Sequence, residues 1–153
     1  METILQKKLQ EGKQILIAEI KPPACGSPAK LKSMTGKYKG KVCVLGVSDN
    51  RDEPGMSSLA ASCILAREGI EPIMHMVTRD RNRIALVSDC LGAQGLGIGN
   101  LLLTSGTHQT LGCFSKAKSV FDIDSIQLTQ ALNRIDIDAG IIGKEKLDTI
   151  DPF

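Results

Sequence analysis

Two residues of the chain have side chains suited to acid–base chemistry, and both lie in apolar runs. Glu19 belongs to the run ILIAEIKPP over residues 15–23, and His75 belongs to PIMHMVTRD over residues 72–80. Carboxyl and imidazole groups are the side chains that most often move protons in enzymes. Each also has a structural interpretation, because Glu19 could be a solvated carboxylate paired with Lys21 and a lone histidine in an apolar run is often a core residue. The residue types alone leave both interpretations open.

Small polar residues follow the last apolar run, GNLLLTSG over residues 99–106. A hydroxyl or a backbone N–H at such a turn can bind a ligand, and a glycine lets the ligand approach the backbone closely. The same composition is also typical of an ordinary strand-to-loop turn. The candidates in this turn are Thr104, Ser105, Gly106 and Thr107, and Ser48 holds a similar position in KVCVLGVSD over residues 41–49.

Four apolar runs must form the strands that position these residues. Their starts near residues 15, 42, 72 and 99 recur at roughly thirty residues, the size of one strand–helix unit. The first strand is predicted to end at Lys21. Continuous rather than alternating apolar residues predict parallel strands buried on both faces. Capping residues, helical spacing and glycine stops predict helices over about 29–38, 59–68, 83–91 and 124–135.

Four strand–helix units fit either an open doubly wound sheet or half of an eight-stranded barrel. In both architectures ligands gather at the carboxyl ends of the parallel strands, where the candidate residues lie. We therefore expect one α/β domain over residues 1–153 with its site at that edge. The Gly-rich segment 92–99 follows a helix and leads into a strand, so it is predicted to be a helix C-terminal turn and not a phosphate loop.

The composition excludes several classes of function. With 19 Lys+Arg against 17 Asp+Glu, the chain has no basic excess for a nucleic-acid backbone. No apolar run is long enough for a membrane span, and the polar N-terminal residues lack the apolar stretch of a signal peptide, so we expect a cytoplasmic protein.

The cysteines and acidic residues predict neither a disulfide framework nor a metal site. The five cysteines are scattered without metal-ligand spacing. Cys43, Cys63 and Cys90 lie in apolar surroundings and are expected in the core. Cys25 and Cys113 are expected in loops. The acidic run over residues 49–53 lacks calcium-loop spacing and is expected to be a solvated loop.

Taken together, the strand ends resemble those of the methylenetetrahydrofolate reductase family, flavin enzymes that reduce a methylene group carried on folate to a methyl group. The matching segments are AEIKPP with Glu19, Val47-Ser48, PIMHMVTRDR with His75, LLLTSGTHQTLG, and SVFDIDSIQL. The resemblance extends from about residue 15 to about residue 135.

This resemblance implies a (β/α)₈ barrel of the TIM type, of which the chain holds about half. It also implies FAD, or FMN, across the strand ends, reduced by NAD(P)H or another donor and oxidised by a folate-type substrate. Glu19 would be the general acid that helps to open the methylene bridge of the folate. The cofactor-binding residues would be Ser48, His75, Thr104, Ser105, Gly106, Thr107 and Asp124.

Two features depart from the family pattern. Most members have an acidic residue directly after the turn glycine, whereas this chain has Thr107, which cannot supply a negative charge. Asp122 and Asp124 are the candidates to replace that charge.

The second departure is length, since a full barrel needs about 250 residues. Residues 140–153 resemble the loop before the family's fifth strand. We therefore expect a fragment, a split subunit or a half-barrel that pairs with a second copy or a complementary chain. The alternative from another class is a non-catalytic half-barrel that only binds a partner chain.

Overall fold

The computed structural model describes residues 2–50 and 53–134. Its four strands form one sheet in which neighbours in sequence are neighbours in space and every pair is parallel. The α/β class with a parallel sheet of strand–helix units is therefore confirmed. The strands are β1 (Ile17–Ile20), β2 (Val44–Val47), β3 (Pro72–Val77) and β4 (Leu101–Thr104).

A helix follows each strand, and a further helix precedes β1. They are α1 (Ile4–Gln10), α2 (Pro28–Thr35), α3 (Ser58–Arg67), α4 (Arg83–Gly95) and α5 (Ser125–Arg134). Short 3₁₀ helices cover Gly36–Tyr38, Thr78–Asp80 and Gln109–Leu111. None of the helices in the described ranges combines the length and the apolar content that a membrane crossing needs.

Capping side chains determine where the helices after the strands begin. Ser27, Ser57 and Asn82 each accept a hydrogen bond from the backbone N–H three residues further on. At α5, Asp124 accepts from the Gln127 backbone N–H at 2.6 Å, and Gln127 Oε1 accepts from the Asp124 backbone N–H at 2.9 Å. Such reciprocal bonds satisfy N–H groups that have no partner inside the helix.

Several predicted boundaries are corrected by the structure. Each strand is shorter than its apolar run, and β1 ends at Ile20 rather than Lys21. The predicted helix over 29–38 is an α-helix only to Thr35 and continues as a 3₁₀ helix. The predicted end of α5, residue 135, and the predicted loop over 140–153 lie outside the described residues.

The predicted end of α4 before Gly92 is wrong. The helix passes this glycine and continues to Gly95. The left-handed residue that stops it is Gly97, with φ of +77°. Residues 92–99 are thus partly helix and partly its C-terminal turn.

The N-terminal helix α1 forms where the sequence predicted no element. Its first backbone N–H groups, of Ile4 and Leu5, donate to the Glu71 carboxylate at 2.7 and 3.0 Å. Glu71 directly precedes β3, and Asn100, which precedes β4, donates to the same carboxylate at 3.0 Å. One side chain therefore holds α1 at the amino edge of the sheet.

The core lies between the helices after the strands and one face of the sheet. Two apolar clusters build it: Ile20, Leu45 and Val47 with Leu31, Ala61, Leu65 and Ile70, and Met74 and Met76 with Leu86, Cys90, Ala93, Ile98, Ile123, Leu128 and Ala131. Because side chains alternate along a strand, the other residues point to the opposite side. We call that side the second face, which carries Ile17, Glu19, Gly46, His75, Leu102 and Thr104.

Burial on both faces, as predicted, holds for β2 and for β3 apart from half-buried His75. It is wrong for β1 and β4, where Ile17 is 49% and Leu102 is 39% exposed on the second face. These two strands lie at the ends of the sheet, where fewer described residues cover the second face.

All five cysteines are free thiols. Cys90 is buried, as predicted, and burial raises the pKa of its thiol to about 11. Cys43 and Cys63 are only partly buried, while Cys25 and Cys113 are exposed, as expected for loop residues.

Candidate functional site

A cavity of about 310 Å³ opens on the second face at the carboxyl edge of the sheet. This volume is at the small end of the roughly 300–1,000 Å³ that small-molecule sites occupy. The structure brings together six of the eight predicted site residues in its lining: Glu19, Ser48, His75, Thr104, Gly106 and Thr107. The remaining lining residues are Asp49, Val77, Arg79 and Leu102.

The other two predicted site residues are Ser105, directly after β4, and Asp124, directly before α5, and neither is part of this lining. Ser105 Oγ accepts a hydrogen bond from the Ser125 backbone N–H at 3.3 Å. Asp124 caps the helix through Gln127. Both side chains thus hold the N-terminus of α5 in the structure.

Asp122, the other candidate for the missing acidic charge, is also engaged away from the cavity. Its two carboxylate oxygens accept bonds from the Arg83 guanidinium at 2.9 Å each. Hydrogen bonding to Arg83 lowers the pKa of this carboxyl below its ordinary value. The negative charge of Asp122 therefore binds Arg83, the first residue of α4, and does not face the cavity.

Glu19 on β1 and His75 on β3 lie on either side of Gly46 on β2. Glu19 is directly paired in register with Gly46. A Cβ atom at Gly46 would lie only 2.9 Å from His75 Nε2, so the imidazole occupies space above β2 that a side chain there would fill.

Burial lowers the pKa of His75, and the carboxylates of Glu19 and Asp49 oppose this effect by raising it. The net direction is downward from the ordinary value of 6.5, so the imidazole is mainly neutral at pH 7. A neutral imidazole can both accept and donate a hydrogen bond in this cavity.

Asp49 is an acidic lining residue that the sequence reasoning missed. Its place in the acidic run predicted a solvated loop, but Asp49 is only 3% exposed. Its Oδ2 accepts a hydrogen bond from the Val77 backbone N–H at 3.0 Å and forms an ion pair with Arg81. Its position two residues after β2, at a strand carboxyl end, is the signal that could have identified it.

Arg81 joins Asp49 to α4, because its guanidinium also pairs with Asp89 at 2.8 Å. Burial disfavours the charge of Arg81, but the two carboxylates more than offset this and raise its pKa. The buried charge of Asp49 is therefore compensated by a cation that stays charged.

Arg79, a second missed residue, ties the loops at the carboxyl edge together. Its guanidinium donates to Thr107 O at 2.6 Å, to Asn50 O at 3.0 Å and to both oxygens of Asp80 at 2.7 Å. Hydrogen bonding to Asp80 raises its pKa. This buried side chain thus connects the segments that follow β2, β3 and β4.

Gly106 has the backbone conformation that the turn after β4 requires. Its φ of +84° lies in the left-handed region, which favours glycine. A Cβ atom there would also overlap Val77 Cγ1. The turn places the next residue, Thr107, in the cavity lining with its carbonyl oxygen on Arg79.

A second cavity of about 260 Å³ adjoins the first, since Arg79 and Thr107 line both. Its apolar walls include Pro54, Leu111 and Phe114. The two cavities are therefore neighbours at the carboxyl edge of the sheet.

The site therefore combines an exposed carboxyl group, a mainly neutral imidazole and hydroxyl groups against the apolar Val77 and Leu102. In the part of the chain that the structure describes, no three His, Cys, Asp or Glu side chains are grouped to hold a metal ion. A comparison of the chain with protein-family models and with curated proteins found no significant match.

Proposed function

We propose that the chain forms half of a (β/α)₈-barrel flavoprotein that reduces methylenetetrahydrofolate to methyltetrahydrofolate in one-carbon metabolism. The observation that carries this proposal is the convergence of Glu19, Ser48, His75, Thr104, Gly106 and Thr107, from four different strand ends, on one cavity. Each of these residues is a candidate from its type and position in the sequence, and the family resemblance gives each of them a role.

The strand order supports the barrel over the doubly wound alternative. A doubly wound sheet reverses its strand order and carries helices on both faces. Here the order is β1-β2-β3-β4, and apolar residues of all four helices after the strands pack in the two clusters on one face. A barrel places its helices on the outside in this way and its second face inside.

The residues of the cavity fit a flavin. The apolar side chains of Val77 and Leu102 suit a planar ring, and polar groups around them suit its hydrogen-bonding edge. Ser48, His75, Thr104, Gly106 and Thr107 would hold the ring, and the adjoining cavity gives room for the tail of FAD, with FMN as the shorter alternative. A flavin held there would supply the hydride transfer from NAD(P)H or another donor to the folate.

In this proposal the chain's own groups supply the proton and the electrostatics. Glu19 is exposed and lines the cavity on the second face. From there it can donate a proton to the folate nitrogen as the methylene bridge opens. The family's acidic residue is replaced by Thr107, and Asp49 is the carboxylate that lines the cavity besides Glu19. Because Arg81 compensates Asp49, the cavity offers a cationic intermediate less negative charge than an unpaired carboxylate would.

Flavin titration of the full chain, followed by separate assays of the two half-reactions, tests this function. We expect Glu19→Gln to lower folate reduction by about two to four orders of magnitude and to leave flavin reduction unchanged. Unchanged folate turnover would contradict the acid role of Glu19. Failure of the chain to bind FAD or FMN in any assembly state would instead favour the non-catalytic half-barrel.

The barrel proposal also requires that the second face be covered. We propose that a second copy of the chain covers it, because two sets of four strands give the eight of a closed barrel. The interface should be apolar and exceed about 2,000 Å² in total. Sedimentation should give a dimer. A well-folded monomer at micromolar concentration would contradict the half-barrel and favour a closed doubly wound domain.

A further inference from the structure

We infer that Lys8 and Cys43 form an oxidative modification site, in which hydrogen peroxide converts the contact between their side chains into a covalent sulfur–nitrogen bond. The pair lies at the amino edge of the sheet, because Lys8 is in the last turn of α1 and Cys43 directly precedes β2. The cavity of the proposed function lies at the opposite, carboxyl edge. The inference therefore does not depend on that function.

The contact between the two side chains already brings the reacting atoms together. Lys8 Nζ donates a hydrogen bond to Cys43 Sγ at 3.1 Å. Within residues 2–50 and 53–134, which the structure describes, no carboxylate forms an ion pair with Lys8. The ammonium group is therefore directed to the sulfur and is not held elsewhere by an acidic side chain.

The surroundings of Cys43 favour the thiolate, which is the nucleophilic form of cysteine. A hydrogen bond with the Leu16 backbone and the hydrogen bond from Lys8 lower the pKa of the thiol, and desolvation opposes them. Strand pairing fixes this arrangement, since the Cys43 backbone N–H donates to Leu16 O at 2.8 Å. The Cys43 side chain is only partly buried, so a small oxidant can reach the sulfur.

The other four cysteines lack such a cation among the residues that the structure describes. Cys90 is buried and the pKa of its thiol is raised to about 11, which disfavours the thiolate. Cys25 and Cys113 are exposed and Cys63 is partly buried, but none of them accepts a hydrogen bond from a described basic side chain. Because exposure alone does not create the pair, these cysteines serve as internal controls.

Two steps form the bond. The Cys43 thiolate attacks one oxygen of hydrogen peroxide, which forms an S–O bond and breaks the O–O bond, and the leaving hydroxide takes a proton from the Lys8 ammonium. The neutral amine of Lys8 then attacks the sulfur of this sulfenic acid, and the hydroxyl leaves as water with a proton from the nitrogen. The sulfur loses two electrons to the peroxide. One thiolate, one ammonium and one peroxide thus give one sulfenamide and two waters.

The new bond gives α1 a covalent anchor. In the reduced chain the Glu71 carboxylate holds the first N–H groups of this helix. The sulfenamide ties the last turn of the same helix to the start of β2, 35 residues further along the chain. Oxidation should therefore slow the hydrogen exchange of the α1 amides, and reduction should restore it.

Peptide mapping of the full chain by mass spectrometry, before and after treatment with hydrogen peroxide, tests the inference. We expect a linked pair of peptides that contain Lys8 and Cys43, and its loss after treatment with dithiothreitol. Lys8→Met should lose the linked pair, because it keeps an apolar side chain and removes the amine. Lys7→Met is the matched control and should keep the linked pair, since the hydrogen bond to Cys43 comes from Lys8.

Absence of the linked pair at a peroxide dose that oxidises Cys25 or Cys113 would overturn the inference. So would a sulfenic acid at Cys43 that dimedone traps but that never proceeds to the bond. Equal linkage in the two lysine variants would also overturn it, because the pairing would then not be specific to Lys8. If Lys8→Met does not fold, the presence or absence of the linked peptides in the wild-type chain decides, and unchanged exchange of the α1 amides after linkage would contradict the anchor.

Discussion

Replacing Gly106 with alanine should destabilise the protein in two separable ways. The left-handed backbone at φ of +84° costs a non-glycine residue about 1–2 kcal/mol. The new Cβ would also overlap Val77 Cγ1 and lie 3.4 Å from Arg79 Cβ. Val77 is buried in β3 and cannot move freely, whereas 3.4 Å is an ordinary contact, so Val77 is the crowded neighbour, and overpacking of this kind costs about 1–3 kcal/mol. The expected total is about 2–5 kcal/mol.

Gly97→Ala is the control for this experiment. Gly97 has φ of +77°, but a Cβ there would meet nothing within 4 Å. It should lose only the backbone part, about 1–2 kcal/mol. Urea unfolding of both variants, compared through their midpoints at a common slope, measures the difference. Equal losses would refute the argument that Val77 crowds the turn.

Three further predictions concern charges near the site. Arg81→Met should lower the free energy of unfolding in urea by about 3 kcal/mol, because it leaves the buried Asp49 carboxylate without its cation. Asp89→Asn should lower it by less, since Arg81 still pairs with Asp49, and equal losses would contradict this argument. Asp122 has a pKa depressed below 3.8 by Arg83, so its stabilisation is present above that pH and is lost as the pH falls through the lower folded value. Asp122→Asn should therefore remove part of the acid-side decline in urea midpoint, and an unaltered pH profile would contradict the pairing. Thr107→Asp should make the potential of a bound flavin more negative than Thr107→Asn does, and identical redox titrations would place residue 107 away from the flavin.

Strand positions and helix starts were predictable because their signals are local. The apolar runs located all four strands, and Ser57 and Asn82 marked two helix starts through side-chain caps. The exposed sides of β1 and β4 were not predictable, because an apolar run does not reveal whether another element covers it. α1 was missed for a similar reason, since its partner Glu71 is distant in sequence.

Most of the candidate site followed from one rule, that carboxyl ends of parallel strands converge. This rule placed Glu19, Ser48, His75 and Thr104 together. It failed for Ser105. Thr104 and Gly106 on either side of it line the cavity, but the Ser105 hydroxyl accepts a hydrogen bond from the first residue of α5. Asp49 was missed because the acidic run suggested solvent, whereas the cation that allows its burial, Arg81, lies 32 residues further along the chain.

The attachment of α1 to Glu71 sets an order of events in folding. A helix of seven residues is far shorter than the roughly 12–15 that an isolated helix needs to be even marginally stable in water. The carboxylate that binds its N-terminus is 66 and 67 residues away from the two N–H groups. Because Glu71 is held in place by the start of β3, α1 gains its anchor only after that strand has joined the sheet. In hydrogen exchange its amides should therefore be among the first to open, ahead of those in the central strands.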